Sequence, residues 1–220
     1  FTASPGAAPG ATLANGGLSG ITLNGIPIAI GEGSGDGLLD GGSLAASFEV
    51  RDQIAPETFA MLDGLAAGLI SRVQDLPEDG TLALGDPGLF TDAGAAFDPA
   101  DEFGVALRIS LNPQVDQAAG GDAFRLRDGL NAASPGVVGD ATILRGLREA
   151  LVGTETPTVG SGLTGARSAA GFAAELSVNL LTNADRAQGA AMFEEGAANA
   201  LREAELAETG VDTDQELSRL

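Results

Sequence analysis

Two long stretches of helical periodicity constrain the fold of this chain more than any other feature. In the first, side chains recur at alternating spacings of four and three residues, which places them on one face of a helix. This face is Leu44, Phe48, Arg51, Ala55, Thr58, Leu62, Leu65, Leu69 and Val73. Pro56 either kinks the helix or occupies the first turn of a new one. If the helix is continuous to Gln74, it is about 45–50 Å long, a length typical of rods and bundles.

The second stretch, from about Ala166 to Glu208, is lined mostly by small side chains. Its face is Ala169, Ala173, Leu176, Leu180, Ala184, Ala187, Ala191, Ala198 and Leu201. Gly171, Gly189 and Gly196 lie inside it, and each lowers helix stability by up to about 1 kcal/mol relative to Ala. Such a helix needs a partner, and we expect the first long helix, running antiparallel, to supply it.

Residues 1–42 predict a loop followed by a β-hairpin. Asn24-Gly25 lies between two runs rich in Ile and Leu, which is the pattern of a two-residue type I′ turn. Pro27 in the second run indicates that this strand lies at a sheet edge, because proline has no N–H to donate to a neighbouring strand.

Residues 77–165 are punctuated by Gly and Pro and predict a small insert of mixed strand and helix. The segment from Val105 to Leu111 alternates apolar with polar or small side chains, which predicts a half-buried strand. Asp140 has the pattern of a helix N-cap, and Gly153 that of a helix stop.

These elements predict an α+β chain. A long antiparallel helix pair forms a rod-like bundle, from which the hairpin and the mixed insert project. The expected segments are residues 1–42, 43–76, 77–165 and 166–220. Thr213 to Glu216 form a capping box that starts a further helix, and we expect the natural protein to continue past Leu220.

The residue inventory removes most catalytic chemistry. The chain has 220 residues without Cys, His or Lys, and its 11 basic side chains are all Arg. Neither a Ser-His-Asp or Cys-His arrangement nor a zinc site of the usual kind can be built. We therefore expect no enzyme activity and no cofactor or resident metal. The formal net charge of −20 disfavours nucleic acid and anionic membranes as partners.

One cluster of carboxylates invites comparison with a glycosidase. Asp98, Asp101 and Glu102 could supply a general acid and a general base. Such sites usually include aromatic platforms for the sugar, and the chain has neither Trp nor Tyr. A solvated loop is the favoured interpretation.

Two further groups could bind an ion. Glu32, Asp36 and Asp40 could hold calcium, but their spacing does not match an EF-hand loop, and a flexible connector is favoured. Arg125 and Arg127 could bind an anion, although an ion pair at the surface, with Asp128 following in sequence, is favoured.

Three segments resemble the flagellar hook-associated protein 1 family. Residues 41–75 combine a double glycine, a Leu-rich start, the pair Arg51-Asp52, a proline soon after, and a long helix of Leu and Ala. Residues 85–94, with the later ALRISLNPQVD and RLRDGLNAASPG, are similar to the middle insert of some members. Residues 208–220 are similar to the element that leads into the family's terminal helix.

The resemblance implies a structural protein that joins the hook of the bacterial flagellum to its filament through contacts between subunits. It implies other copies of the chain, hook protein and the second junction protein as partners, and export to the cell exterior without a cleaved signal peptide. The family's interlocking terminal helices are expected to lie outside this chain. We expect interface residues on an exposed rod face near Arg51, Asp52 and Asp63.

A protein of another class remains as an alternative. A secreted acidic adhesin or carbohydrate-binding module could use calcium in Gly/Asp loops such as residues 31–42, which contain Glu32, Asp36 and Asp40. Tandem Gly-Asp repeats, which would favour it, are absent from the sequence.

Overall fold

The computed structural model describes residues 21–23, 26–28, 42–158 and 160–209. The chain is mostly helical with two small antiparallel sheets, and the predicted α+β class is confirmed. The helices and strands in chain order are β1 (Ile21–Leu23), β2 (Ile26–Ile28), α1 (Gly42–Glu49), α2 (Ala55–Gln74), β3 (Phe90–Asp92), β4 (Ile109–Leu111), α3 (Arg125–Asp128), α4 (Thr142–Val152) and α5 (Ala169–Thr209). The described residues belong to two compact units, one built from 51–180 and one from the remainder.

The predicted hairpin is confirmed by the register of its strands. β1 pairs antiparallel with β2, and Leu23 lies opposite Ile26, which leaves two residues for the connection. The turn residues Asn24 and Gly25 lie outside the described residues. Pro27 lies opposite Thr22 in a sheet of two strands, so its strand is an edge strand as predicted.

The first long helix, whose continuity through Pro56 the sequence left open, is continuous but contains a widened turn. α1 leads into a π-helical turn, Val50–Ile54, which leads directly into α2. Pro56 occupies the first turn of α2. Its ring would clash with the carbonyl of Asp52 in a regular α-helix and its nitrogen cannot donate to that carbonyl, and a widened turn before it relieves both problems.

The buried face of α2 differs from the predicted one. The residues buried along it are Asp63, Gly64, Ala66, Ala67, Ile70, Arg72 and Val73. The predicted leucines at 62, 65 and 69 are only half-buried. The small side chains of Ala66 and Ala67 allow the insert to approach the helix closely, so the insert packs beside the leucine row and not on it.

The core lies between α2 and the insert. Ala66, Ala67 and Ile70 pack against Phe97 and Val105. β3 and β4 pair antiparallel beside this cluster, with Phe90 opposite Leu111. Burial of these apolar side chains, at about 25 cal/mol per Å², is the main force that holds the insert on the helix.

The segment predicted as one strand from Val105 to Leu111 is only partly a strand. Val105–Leu107 forms a 3-10 turn, and only Ile109–Leu111 is extended. Gly104 has φ +75°, a conformation that glycine adopts without strain, and it starts the turn. The alternation of side chains is typical of a strand, but the carboxylate of Asp63 on α2 accepts hydrogen bonds from the backbone of Gly104 and Ala106 and favours the turn.

Two of the three other helices predicted from the sequence are present, and the third, predicted from the capping box Thr213 to Glu216, lies outside the described residues. α4 ends at Val152, directly before Gly153, as predicted. Its N-cap is Ala141 and not Asp140, so that part of the prediction is wrong. Asp140 lies one residue earlier, and its carboxylate accepts a hydrogen bond from the N–H of Thr142 at 2.9 Å. α5 begins three residues later than predicted, at Ala169, and is 41 residues long, which corresponds to about 60 Å. The main packing partners of α2 are the 105–107 turn, β3 and α4. The pairing of α2 with α5 therefore stays a prediction.

Candidate interaction surface

Most of α5 is exposed on every side. We call residues 184–208 the exposed helix, since each of these side chains is classed as exposed. It carries large apolar side chains, among them Phe193 at 76% and Leu201 at 72% relative exposure. Most helical stability in proteins comes from packing of apolar side chains, so such a surface is suited to contact with other helices.

The apolar side chains of the exposed helix do not share one face. Successive residues are rotated by about 100° around a helix axis. Relative to Met192, Phe193 therefore points about 100° away and Leu201 about 180° away, while Leu206 lies within about 40° of Met192. A helix with apolar side chains on several sides is covered by more than one neighbour when it is buried.

The exposed helix is also acidic. It contains six carboxylates and two guanidiniums. Its acidic residues are Asp185, Glu194, Glu195, Glu203, Glu205 and Glu208. Partners of opposite charge would associate with it faster than partners of like charge, particularly at low salt.

The start of α5 is anchored to the insert. Phe172 and Leu176 are buried there. Glu175 forms an ion pair with Arg167 at 3.2 Å and accepts a hydrogen bond from the hydroxyl of Thr164 at 2.7 Å. These bonds hold the pKa of Glu175 below its ordinary value, with the Thr164 hydroxyl as the largest cause. The start of α5 is therefore fixed by apolar contacts and by hydrogen bonds.

Arg72 connects α2 to the end of α4 and to the base of α5. Its side chain is 1% exposed. It donates hydrogen bonds to the carbonyls of Ala150, Gly153 and Arg167 at 3.0, 2.6 and 2.8 Å. Its Nε lies 3.4 Å from Glu155 and makes no hydrogen bond within the described part of the chain. A guanidinium at the negative end of a helix is favourable, so this contact fixes α4 on α2.

Asp63, predicted to lie on an exposed face, is buried at 7% exposure, and that expectation is wrong. Its carboxylate accepts hydrogen bonds from the N–H groups of Gly104 and Ala106 at 2.8 and 2.9 Å. It therefore holds the 3-10 turn against α2. The sequence does carry a signal for this role, because Asp63 is a single carboxylate among Ala and Leu, as expected of a buried acceptor for backbone N–H groups.

Arg51 and Asp52, also predicted at the interface, lie in the π-helical turn. Both are half-buried, and they form an ion pair with each other at 2.6 Å. The hydrogen bond that Arg51 donates to the Asp52 carboxylate raises the pKa of Arg51 above its ordinary value. The structure does not bring them together with Asp63, which faces the insert. Their role in an interface stays a prediction.

The three carboxylates considered for glycosidase chemistry have separate structural roles. Asp98 accepts from the N–H of Ala100 at 2.9 Å and caps a short 3-10 helix. Glu102 accepts a hydrogen bond from the Thr158 hydroxyl. The backbone carbonyl of Asp101 accepts from Arg108 at 2.7 Å. Their geometry is that of a loop with local caps.

Arg108 ties this loop to β3. Its guanidinium binds the carboxylate of Asp92 through two hydrogen bonds of 2.6 and 2.9 Å and also donates to the carbonyl of Phe103. The bond from Arg108 holds the pKa of Asp92 below its ordinary value. This bidentate pair is the stronger kind of surface ion pair because its geometry is fixed.

The pair Arg127–Asp128 is confirmed as an ion pair, at 2.8 and 2.7 Å. Asp128 also accepts from the N–H of Gly136, and its pKa is lowered chiefly by Arg127. Arg125 instead donates to the carbonyl of Leu130 at 2.9 Å. The two arginines therefore do not converge on a common anion.

The cation candidates Glu32, Asp36 and Asp40 lie outside the described residues. Within the described part, no group of three or more potential metal-binding side chains occurs. A cavity of about 10 Å³ lies between the end of α2, α3 and α4, and its lining is apolar except for Asp79 and Arg125. It has room for about one water molecule, which makes it too small for an organic substrate.

No family model, curated protein or solved structure matches the chain. No described helix combines the length and the apolar character that crossing a membrane requires. A function must therefore be inferred from three features of the structure: the exposed helix, the anchored base of α5 and the insert on α2. Sequence analysis missed Arg72, although a single arginine between Ile70 and Val73 in an apolar run is a recognisable signal of a buried cation.

Proposed function

We propose that this chain is part of a structural subunit of the bacterial flagellum that joins the hook to the filament, with no catalytic turnover. The proposal rests on the resemblance of residues 41–75, 85–94 and 208–220 to the flagellar hook-associated protein 1 family. The observation that supports it best is the exposed helix, whose apolar side chains point in several directions. A subunit of an assembly buries such a helix against other helices when it assembles.

The proposal assigns different roles to the two long helices and to the insert between them. The exposed helix would belong to the shaft of the subunit, together with the continuous helix formed by α1 and α2. The pairing of the two long helices is part of the proposal, and their lengths support it. The insert would project from the shaft, with copies of the chain, hook protein and the second junction protein as neighbours.

Cosedimentation with purified hooks tests the proposal. The whole protein, in the form that the organism makes, should pellet with hooks, and the Phe193→Asp and Leu201→Asp variants should bind at least about tenfold more weakly, because a carboxylate cannot be buried there without a partner. Leu84, which is 95% exposed in the insert, provides the matched control Leu84→Asp. That variant should bind like the wild type.

Three outcomes have distinct meanings. If the unmodified protein stays in the supernatant, the junction role is wrong. If it pellets and all three variants also pellet, the junction role stands but the exposed helix is not the interface. If Leu84→Asp loses binding as strongly as the other two variants, the insert contacts the hook.

A further inference from the structure

The π-helical turn Val50–Ile54 is less buried than the helix α2 that follows it. The turn contains no buried residue. Val50 is 52% exposed. The following helix, in contrast, buries Ala67 and Ile70 almost completely. Segments with few buried contacts and solvent-accessible backbone open at a lower free energy than packed ones.

Pro56 explains why the turn has this form. Ile54 has φ −64° and ψ −46°, so the helix passes from the turn into α2 without a break and without a side-chain cap. Pro56 therefore lies inside a continuous helix and has no N–H to donate to an earlier carbonyl. Inserted single π turns occur where a helix must accommodate such a local defect.

We propose that Val50–Ile54 is a built-in point of flexure, at which the π turn and a regular α-helical turn exchange. The exchange changes the number of residues per turn at this point only, and it is centred on the turn because α2 beyond it is fixed by the core. Pro56 keeps the π form in the exchange by disfavouring the regular turn. The inference rests on the helix itself and goes beyond the proposed junction role.

Amide hydrogen exchange tests the proposal on the intact chain. Amides 50–55 should exchange at least about tenfold faster than amides 66–73 of α2, because the turn opens locally while the core stays closed. Pro56→Ala should slow the exchange of amides 50–55 by about tenfold, because alanine permits a regular α-helical turn. The exchange of amides 66–73 should be the same in both proteins.

Pro135, in an exposed loop, provides the matched control. Pro135→Ala should leave the exchange of amides 50–55 unchanged, which separates the effect of position 56 from the general effect of removing a proline. Equal protection of the turn and of α2 in the wild-type chain would overturn the proposal. So would an unchanged rate at amides 50–55 in Pro56→Ala.

Discussion

Arg72 is a buried cation whose three carbonyl partners belong to two different segments. Replacing it with methionine keeps the apolar stem and removes this donor from the buried carbonyls of Ala150 and Gly153, while the carbonyl of Arg167 still accepts from the N–H of Glu155. Because unpaired buried polar groups are costly, we expect Arg72→Met to lower the free energy of unfolding by about 3 kcal/mol. Urea unfolding followed by circular dichroism measures it. Arg148→Met, at an exposed position of α4, should change stability by less than about 0.5 kcal/mol.

Asp63 offers a finer test because asparagine is nearly its isostere. Asp63→Ala leaves the N–H groups of Gly104 and Ala106 unpaired, and we expect a loss of about 2 kcal/mol in the free energy of unfolding. Asp63→Asn keeps one carbonyl acceptor and should lose less than the alanine variant. If urea titrations gave the same loss of stability for Asp63→Ala and Asp63→Asn, loss of the hydrogen-bond acceptor would not be the cause of the destabilisation.

The carboxyl groups predict how stability depends on pH. The pKa values of Asp92, Asp140 and Glu175 are lowered in the folded chain by their hydrogen-bond donors, led by Arg108, Thr142 and Thr164 respectively. A group whose pKa is lower when folded stabilises the fold above its unfolded pKa of about 4, and this stability is lost as pH falls through the folded pKa. The free energy of unfolding should therefore fall steeply below about pH 4.

Asp92→Asn isolates one of these groups. It should lower stability at pH 7 and reduce the further loss on acidification, because one coupled proton is removed. Glu149→Gln, at an exposed position on α4, is the matched control and should follow the wild-type profile. Urea titrations at pH 7, 5 and 3 compare the three proteins. Parallel profiles for Asp92→Asn and the wild type would contradict the assignment.

At the scale of elements, the periodic segments were predictable and their surroundings were not. The helix that ends at Gln74, α4 and α5 follow from periodicity, and Gly153 marks the end of α4. Periodicity left open whether the first helix continues through Pro56, and it placed the N-cap of α4 one residue early, at Asp140. The buried side of α2 could not be predicted because it depends on which element packs there. The 105–107 turn was missed for the same reason, since it is held by Asp63 from another part of the chain.

The candidate surface was partly predictable in the same sense. The small-residue row of α5 indicated a helix in need of a partner, and the exposed helix agrees with that expectation. Periodicity along a single row does not report on the other sides of the helix. Met192 and Phe193 lie off the predicted row, and only the structure shows that they are exposed.

Glycines test whether α5 and the insert are built as described. An added Cβ at Gly189 or Gly196 meets no atom within 4 Å, so alanine there should stabilise the exposed helix by about 0.5–1 kcal/mol each. At Gly88 an added Cβ would collide with the backbone of Val73 and Gln74, and Gly88→Ala should destabilise the insert. Helix content at 222 nm against temperature measures the first effect, and urea unfolding the second. If alanine stabilised the protein both at Gly88 and at Gly189 or Gly196, or destabilised it at all of them, the assigned packing would be contradicted.

At the scale of the whole molecule, the net charge of −20 implies repulsion between its parts. The range of this repulsion falls from about 30 Å at 10 mM salt to about 3 Å at 1 M. We therefore expect the urea midpoint of the chain to rise as NaCl is added. Replacing Glu203, Glu205 and Glu208 by glutamine should reduce this rise, because the three carboxylates lie close together on one helix.

A calcium titration distinguishes a general effect of ionic strength on stability from binding at a specific site. It therefore also distinguishes the junction role from the adhesin alternative. Screening depends on ionic strength, so CaCl2 and NaCl at equal ionic strength should raise the midpoint by similar amounts. A specific site would instead respond to micromolar calcium at constant 150 mM NaCl, by an increment that grows with the logarithm of calcium concentration. We expect no such increment. A urea midpoint that rises with micromolar calcium in the wild type, but not when Asp36 and Asp40 are replaced by asparagine, would establish a cation site in the segment that contains these two residues. That result would favour the adhesin, since a structural junction subunit has no need of calcium to bury its exposed helix.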